Sequence, residues 1–287
     1  MMTWEQTVLW LRKQDQYRQL IHWGYLDEPL VLAAKRFAES DEWNAVRELV
    51  LTRGGRKALD IGAGRGVASY ALAMDGWDVT AVEPDRSAVV GAEAISKLAR
   101  ECNLSITVIS TVAETLPFPD RTFDLVYGRQ VFHHIADMSA ACREAFRVLK
   151  PGGQMLIVRE HVISRQSDLP HFLANHSTHR LCGGETARME SEYVAAIEGA
   201  GFELAAVFRS WDSVINYYPA SREDWRCECI KYLHLVMGWR LALGLANPRH
   251  AVGRWLLAGL ARSASRRDHC PGRMFSFVAE KKVNGVA

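Results

Sequence analysis

The first residues with a pattern suited to chemistry form a glycine-rich turn, Asp60-x-Gly62-x-Gly64-x-Gly66. Glycine is needed where a backbone turns tightly and lets a ligand lie against it. A dinucleotide fingerprint reads Gly-x-Gly-x-x-Gly, whereas here the glycines alternate and Val67 takes the place of the third. The turn therefore predicts a ligand site at the end of a first strand. A tight strand–helix turn without a ligand is the alternative.

Glu83 ends the next apolar run, residues 79–82, about 20 residues beyond the glycine turn. A carboxylate at that place can accept hydrogen bonds from both hydroxyls of a ribose, and it repels a phosphorylated ribose. Alone, Glu83 would be a solvated strand end. Its spacing from Gly62 favours a role in binding the ribose of a cofactor.

Three histidines are candidate general bases. His133 and His134 follow one apolar run, and His161 follows the next, directly after Glu160. A neutral imidazole near pH 7 can take a proton from a hydroxyl or an acidic C–H group. The alternative is that these histidines only shape a pocket or position a loop through hydrogen bonds.

The segment from His161 to Glu185 is rich in histidine, with His171, His176 and His179 between its ends. Metal ligands need regular spacing on a helix or loop and supporting hydrogen bonds. These histidines are unevenly spaced, so we predict no metal site and expect a loop that faces solvent or substrate. Two adjacent glycines before Glu185 would let such a loop act as a gate.

Short apolar runs alternate with helical patterns through the middle of the chain. The predicted strands are residues 58–61, 79–82, 106–109, 125–127 and 155–158, and the helices between them are 68–74, 87–102 and 138–149. A helix at 189–201, a strand at 202–208, mostly helical residues 213–270 and a strand at 273–280 follow. This alternation predicts a doubly wound α/β fold with a mostly parallel, seven-stranded sheet.

Two further stretches complete the pattern. Residues 113–127 begin with Ala113-Glu114, and residues 143–153 read Arg-Glu-Ala-Phe-Arg-Val-Leu-Lys-Pro-Gly-Gly. The four stretches, in this order, resemble small-molecule methyltransferases of the class I S-adenosylmethionine-dependent superfamily, especially the ubiquinone/menaquinone-type group. The resemblance covers residues 56–160 well, and more loosely continues through 208 and at 273–281.

This resemblance implies a Rossmann-like fold with S-adenosylmethionine as cofactor. The implied cofactor-binding residues are Asp60, Gly62 and Gly64 at the methionine half, Ala63 within the same turn, Glu83 on the ribose, Pro84 and Asp85 beside the adenine, Ala113 and Glu114 at the adenine edge, and Arg129 near the sulfonium. Arg65 lies where the family varies, so it receives no role. Methyl transfer is an in-line displacement, to which a protein contributes proximity, alignment and exclusion of water.

We expect three parts: an N-terminal helical cap at residues 1–52, a methyltransferase core at 53–212 and 271–287, and a helical insertion at 213–270. Three interpretations of the insertion stay open. It packs on the core, it forms a homodimer interface, or its tryptophans and arginines touch a membrane or a lipid-linked acceptor through residues 230–267.

The composition limits the classes of partner that we expect this protein to bind. The net charge is +2 and the basic residues are not arrayed along the predicted core, so we expect no nucleic-acid partner. Six scattered cysteines and the absence of a charged, apolar leader favour a cytoplasmic protein, in peripheral contact with a membrane if the insertion supplies it.

The predicted activity is methyl transfer to a small-molecule or lipid-linked acceptor, with oxygen ranked first as the acceptor atom, then carbon and nitrogen. A nicotinamide-dependent oxidoreductase is one alternative, disfavoured by the alternate glycines. A non-catalytic protein that binds S-adenosylmethionine is the other.

Overall fold

The computed structural model of this protein describes residues 1–51 and 55–283. The predicted domain boundary at residues 52 and 53 lies outside the described residues, and so do residues 284–287 of the predicted core. Among the residues described, no helix has both the length and the apolar character needed to cross a lipid bilayer.

One mixed sheet forms the centre of the molecule. Its strands are β1 (Lys57–Ile61), β2 (Asp78–Val82), β3 (Ile106–Ile109), β4 (Phe123–Arg129), β5 (Leu149–Ile163), β6 (Arg188–Met189), β7 (Glu203–Phe208) and β8 (Arg273–Glu280). The spatial order is β3-β2-β1-β4-β5-β8-β7, and the short β6 pairs with β5. Strand β8 runs antiparallel to β5 and β7. The chain order reverses between β1 and β4, where open α/β sheets bind ligands at the carboxyl ends of their strands.

Helices surround this sheet. They are α1 (Trp4–Leu11), α2 (Arg18–Trp23), α3 (Leu30–Ala38), α4 (Asp41–Leu49), α5 (Val67–Met74), α6 (Ala92–Glu101), α7 (Met138–Val148), α8 (Leu169–Asn175), α9 (His179–Cys182), α10 (Glu190–Gly199), α11 (Val214–Tyr217), α12 (Arg222–Met237), α13 (Trp239–Leu245) and α14 (Ala251–Arg267). Short 3-10 helices lie at Asp15–Tyr17, Phe132–His134 and Gln166–Asp168. Two large apolar clusters pack between helices and sheet.

Helix α7 illustrates how local sequence sets these elements. The side chain of Asp137 accepts a hydrogen bond from the backbone N–H of Ala140, which caps the free N–H groups of the first turn. Its buried residues recur at helical spacing and include Ala141, Ala145 and Val148. This buried face of the helix packs against the sheet. The central strands are continuous apolar runs, because helices cover both faces of the sheet.

The N-terminal helices are joined to the sheet by an aromatic cluster. Tyr25, Phe37 and Trp43 are buried together, and Trp43 meets Tyr127 of β4 edge-on at 5.8 Å between ring centroids. Helix α3 packs on α5, the helix that follows the glycine turn. The N-terminal helices therefore form part of the wall around the carboxyl ends of the strands.

The predicted α/β class and mostly parallel sheet are confirmed, with three local differences. The short β6 is an eighth strand beyond the seven predicted. The segment expected to be a loop contains α8 and α9. The Lys-Pro-Gly-Gly run at residues 150–153, whose composition is typical of a turn before a strand, lies inside β5. It stands between Leu149, which pairs with Phe123, and Gln154, which pairs with Leu125. The turn residues bulge out of the ladder there without ending the strand.

The helices α12, α13 and α14 have a small core of their own around Ile230, Leu233, Ala242 and Ala246. Much of their apolar surface faces outward. The exposed apolar residues are Tyr232, Leu235, Val236, Trp239, Leu241, Leu243, Val252 and Trp255.

Candidate cofactor and acceptor site

The glycine turn connects β1 to α5 with left-handed backbone at three positions, Gly62, Gly64 and Gly66. A Cβ atom on Gly62 would lie 2.1 Å from Cγ2 of Val131, in the loop after β4. A Cβ atom on Gly64 would meet nothing closer than the carbonyl oxygen of Val90 at 4.0 Å. Gly62 is thus required for packing, whereas Gly64 leaves open space beside the backbone, as ligand binding requires.

Glu83 connects this turn to the end of β2. Its Oε2 accepts a hydrogen bond from the N–H of Gly64 at 2.7 Å, and its Oε1 accepts one from the N–H of Asp85 at 2.9 Å. Burial raises the pKa of Glu83, and the two N–H donors oppose that rise. A carboxylate has about four acceptor positions, so Glu83 keeps capacity for the two hydroxyls of a ribose.

Asp60 lies beneath the turn. Its carboxyl group is buried and accepts a hydrogen bond from the hydroxyl of Ser69 on α5 at 2.6 Å. Burial raises the pKa of Asp60 to about 7. Ala63, also predicted to bind the cofactor, donates its N–H to the carbonyl of Val82 at 3.1 Å.

The residues predicted near the adenine lie along the same edge of the sheet. Pro84 and Asp85 follow Glu83 at the end of β2, and the side chain of Asp85 accepts a hydrogen bond from the N–H of Ser87 at 2.7 Å. Ala113 is buried in the apolar cluster beneath the loop after β3, and Glu114 is half-buried beside it. The structure therefore brings these four residues to the ends of adjacent strands.

Arg129 ends β4, beside the glycine turn. Its guanidinium binds both carboxylate oxygens of Glu42 on α4, at 2.6 and 3.0 Å, and packs over Tyr25 and Phe37. This pair holds the N-terminal helices against the core. The predicted position near the sulfonium stays a prediction.

Arg65 also joins the cap to the site, a role that the sequence analysis missed. Its Nη1 donates to the carbonyl oxygens of Tyr25 at 2.9 Å and Asp27 at 3.0 Å, and its Nη2 binds the carboxylate of Glu28. The sequence carries no signal for this role, because the burial of Arg65 and its contacts depend on the fold.

Glu160 organises the loop after β4. Its buried carboxylate accepts hydrogen bonds from the N–H groups of Val131 at 3.0 Å, Phe132 at 3.2 Å and His133 at 2.9 Å. It also pairs with Nδ1 of His133 at 2.5 Å. Burial alone would raise the pKa of Glu160, but His133 and these donors outweigh it and lower the pKa. Sequence reasoning named this residue only as the neighbour of His161.

Glu185 brings the separate histidines together. Its Oε1 lies 3.0 Å from Nε2 of His133, 3.5 Å from Nε2 of His134 and 3.7 Å from Nε2 of His161. Its Oε2 lies 3.8 Å from Nδ1 of His176. The predicted bases therefore share one carboxylate.

The three predicted bases differ in protonation. Burial opposes charge on His133, but Glu160 and Glu185 outweigh it and raise its pKa to about 9. Burial lowers the pKa of His161 to about 3, and the charge of His133 adds to that effect. Burial also lowers the pKa of His134, whose side chain keeps 42% exposure. His134 thus combines a neutral imidazole with access to a ligand.

The strand order, with a glycine turn after β1 and a carboxylate after β2, is a Rossmann-like arrangement similar to that of solved methyltransferases. Geranyl diphosphate C-methyltransferase from Streptomyces coelicolor A3(2), crystallised with S-adenosyl-L-homocysteine, has a similar fold. The TM-score is 0.56 at 15% sequence identity, over 94% of this chain and 82% of that one.

The sequence comparisons agree with this class. Residues 59–157 match a family model described as a methyltransferase domain. An uncharacterized methyltransferase, YcgJ of Bacillus subtilis (strain 168), is 33% identical over 143 residues, which is 50% of this chain and 54% of that protein. The ubiquinone biosynthesis O-methyltransferase of Pseudomonas fluorescens (strain Pf0-1) is 33% identical over 101 residues, 35% of this chain and 43% of that protein.

The protein therefore carries a class I S-adenosylmethionine-dependent methyltransferase domain. The predicted class and cofactor are confirmed, and the domain match favours this class over the nicotinamide-dependent alternative. The chain spans about half the length, or less, of the curated relatives described above.

Proposed function

We propose that this protein transfers the methyl group of S-adenosylmethionine to a small-molecule acceptor. The observation that carries the proposal is the hydrogen bond from the N–H of Gly64 to the carboxylate of Glu83. It places a buried carboxylate, with acceptor capacity left over, beside an open glycine backbone at the switch point of the sheet.

Methyl transfer from a sulfonium needs little chemical activation by side chains. A sulfonium is already a strong electrophile, so the protein has to align the acceptor with the methyl group and exclude water. In our proposal the cofactor lies along the residues assigned to it above, from Asp60 to Arg129. The N-terminal helices, which Arg65 and Arg129 tie to the core, close one side of the crevice.

We assign the acceptor to the histidine side of the crevice, after β4 and β5. Val131, which touches Gly62, and His134 lie on the same short loop, so the acceptor would meet the cofactor there. A neutral, partly exposed His134 suits proton removal from a hydroxyl, which keeps oxygen first among acceptor atoms, ahead of carbon and nitrogen. The relatives include an enzyme named as an O-methyltransferase and one named as a C-methyltransferase.

Cofactor binding is the direct test. In isothermal titration we expect the wild-type protein to bind S-adenosylhomocysteine and not NAD. Glu83→Ala should weaken that binding at least tenfold, because it removes the ribose acceptor and the partner of the Gly64 N–H. The control is Glu101→Ala, which removes an exposed carboxylate at the end of α6.

NAD binding without S-adenosylhomocysteine binding would overturn the proposal, as would equal affinity in Glu83→Ala and the control. A second step screens metabolite pools for transfer of a labelled methyl group. Binding without transfer to any pool would favour the non-catalytic alternative.

We further propose that the insertion, residues 213–270, presents its exposed apolar face to a lipid surface or a lipid-linked acceptor. The arginines exposed on these helices support this, because an interfacial helix combines apolar and basic faces. In flotation with anionic vesicles, the wild-type protein should rise with the lipid. A variant with Leu235→Ser and Trp255→Ser should not.

Two other roles of the insertion are outcomes of the same experiment. If the wild-type protein does not float, the membrane interpretation is wrong. A homodimer in light scattering that Leu235→Ser and Trp255→Ser dissociate would favour an interface instead. A monomer that does not float would leave the insertion as a layer packed on the core.

A further inference from the structure

Glu185, His161 and His176 converge on one small volume. Nε2 of His161 lies 3.7 Å from Oε1 of Glu185, and Nδ1 of His176 lies 3.8 Å from Oε2. One ligand atom from each residue lies within 4.8 Å of those of the other two. Both nitrogen–oxygen separations are too long for hydrogen bonds.

These separations fit two ligands of one metal ion. Nitrogen and oxygen ligands lie about 2.0–2.2 Å from a zinc ion, so neighbouring ligand atoms are about 3.3 Å apart at the tetrahedral angle and up to about 4 Å at wider angles. The observed 3.7 and 3.8 Å lie inside that range. The three side chains thus leave room for an ion between them.

Hydrogen bonds behind these residues orient them for such a role. The Nδ1 of His161 lies 2.8 Å from the carbonyl oxygen of Gly272. Since a carbonyl only accepts, Nδ1 carries the proton and the Nε2 lone pair points to Glu185. Metal-ligating histidines show this arrangement, with the other ring nitrogen bound to a carbonyl or carboxylate.

The carboxylate has support of the same kind. Oε1 of Glu185 accepts a hydrogen bond from Nε2 of His133 at 3.0 Å, and Nδ1 of His133 pairs with Glu160. The hydroxyl of Thr178 lies 3.0 Å from Nδ1 of His176. Because a hydroxyl group rotates, it can leave that nitrogen free to bind an ion.

We propose that His161, His176 and Glu185 bind one divalent transition-metal ion, with His133 as the residue that positions the carboxylate. Two imidazoles and a carboxylate suit Zn²⁺, Fe²⁺ or Co²⁺ better than Mg²⁺ or Ca²⁺. Three protein ligands leave coordination positions open for oxygen ligands. The uneven spacing that argued against a metal in the sequence belongs to three segments that the fold brings together.

The ion would join three successive segments of the chain, all within residues 161–185. His161 lies on β5, His176 follows α8, and Glu185 lies between α9 and β6. Metal binding would hold the segment from α8 to β6 against the carboxyl end of β5. This inference does not depend on the proposed methyl transfer, because an ion can be measured without cofactor or acceptor.

The experiment titrates Zn²⁺ into chelator-treated full-length protein, and repeats the titration with Co²⁺ to record its visible absorption. We expect one equivalent of Zn²⁺ per chain. Glu185→Gln and His176→Gln should each weaken binding roughly 100-fold, because each removes one of three ligands. The matched control is His171→Gln, an exposed histidine on the helix that leads to His176, and its affinity should equal that of the wild type.

Equal Zn²⁺ affinity in His176→Gln and His171→Gln would overturn the proposal, as would no measurable binding to the wild type. Thermal unfolding gives a second reading, since Zn²⁺ should raise the Tm of the wild type and the control but not of the ligand variants. S-adenosylhomocysteine binding, retained in His176→Gln, separates loss of the metal from failure of the proposed function.

Discussion

The two halves of the proposed site differ in the groups that form their hydrogen bonds. On the proposed cofactor side, main-chain groups predominate: left-handed glycines open the turn, and Glu83 accepts hydrogen bonds from two N–H groups. On the proposed acceptor side, side chains contact side chains, and His133 joins Glu160 to Glu185. The first half can accept a ligand by shape, whereas the second concentrates charge and lone pairs.

The two halves also differ in how far apart their partners lie in the sequence. Glu83 and Gly64 are 19 residues apart. His133 and Glu185 are 52 apart, and His161 and Gly272 are 111 apart. A local structure is specified by local spacing, whereas a structure joined over such lengths depends on the whole fold.

The largest loss of stability should come from a substitution in the glycine turn. Gly62→Ala places a methyl group against Val131 at a left-handed position, so we expect the free energy of unfolding to fall by about 4 kcal/mol. Gly64→Ala has the same backbone strain without the clash, and should cost about 1 kcal/mol. Urea unfolding measures both. Equal losses would show that packing against β4 does not define this turn.

A second comparison concerns how much stability the buried carboxylate of each half contributes. Glu160→Gln should lower the free energy of unfolding by about 3 kcal/mol, because the amide NH₂ meets N–H donors and His133 loses its partner. Glu83→Gln should lower it by about 1 kcal/mol, since only two N–H groups are involved. If Glu83→Gln costs as much as Glu160→Gln, the contrast between backbone and side-chain construction fails.

The same contrast explains what could be predicted from the sequence. The strands at 106–109 and 273–280 were predicted with the bounds that the structure has, because they are apolar runs of regular period. The glycine turn and Glu83 were found together because they lie within one strand–helix–strand unit. Their assignment to the cofactor stays a prediction from the resemblance.

The residues of the proposed acceptor side could be identified from the sequence, but their contacts with one another could not. His133, His134 and His161 were candidate bases, yet nothing in their spacing shows that Glu185 meets all three. Pairing of β5 with β4 and β6 brings them together, and that pairing is a property of the sheet. The role of Glu42 as the partner of Arg129, 87 residues away, was missed for the same reason.

The third comparison concerns Asp60, the side chain under the glycine turn. Unlike Glu160, it has one hydroxyl partner, Ser69, and burial raises its pKa to about 7. The folded protein therefore favours the neutral acid more than the unfolded chain does. Below about pH 4 both states hold the proton; as the pH rises to about 7 only the unfolded chain has released it, so folding loses stability over this range.

Asp60→Asn removes this titration, and should leave the variant more stable than the wild type at pH 8 by on the order of 2 kcal/mol, with the gap closing toward pH 4. Urea unfolding at half-unit pH steps measures it, and Asp78→Asn, at the exposed start of β2, controls for the loss of one carboxyl group. Parallel curves for Asp60→Asn and the wild type would mean that Asp60 is ionised in the fold. The cofactor half would then hold a stabilised charge like that of Glu160, and the difference between the halves would be one of degree.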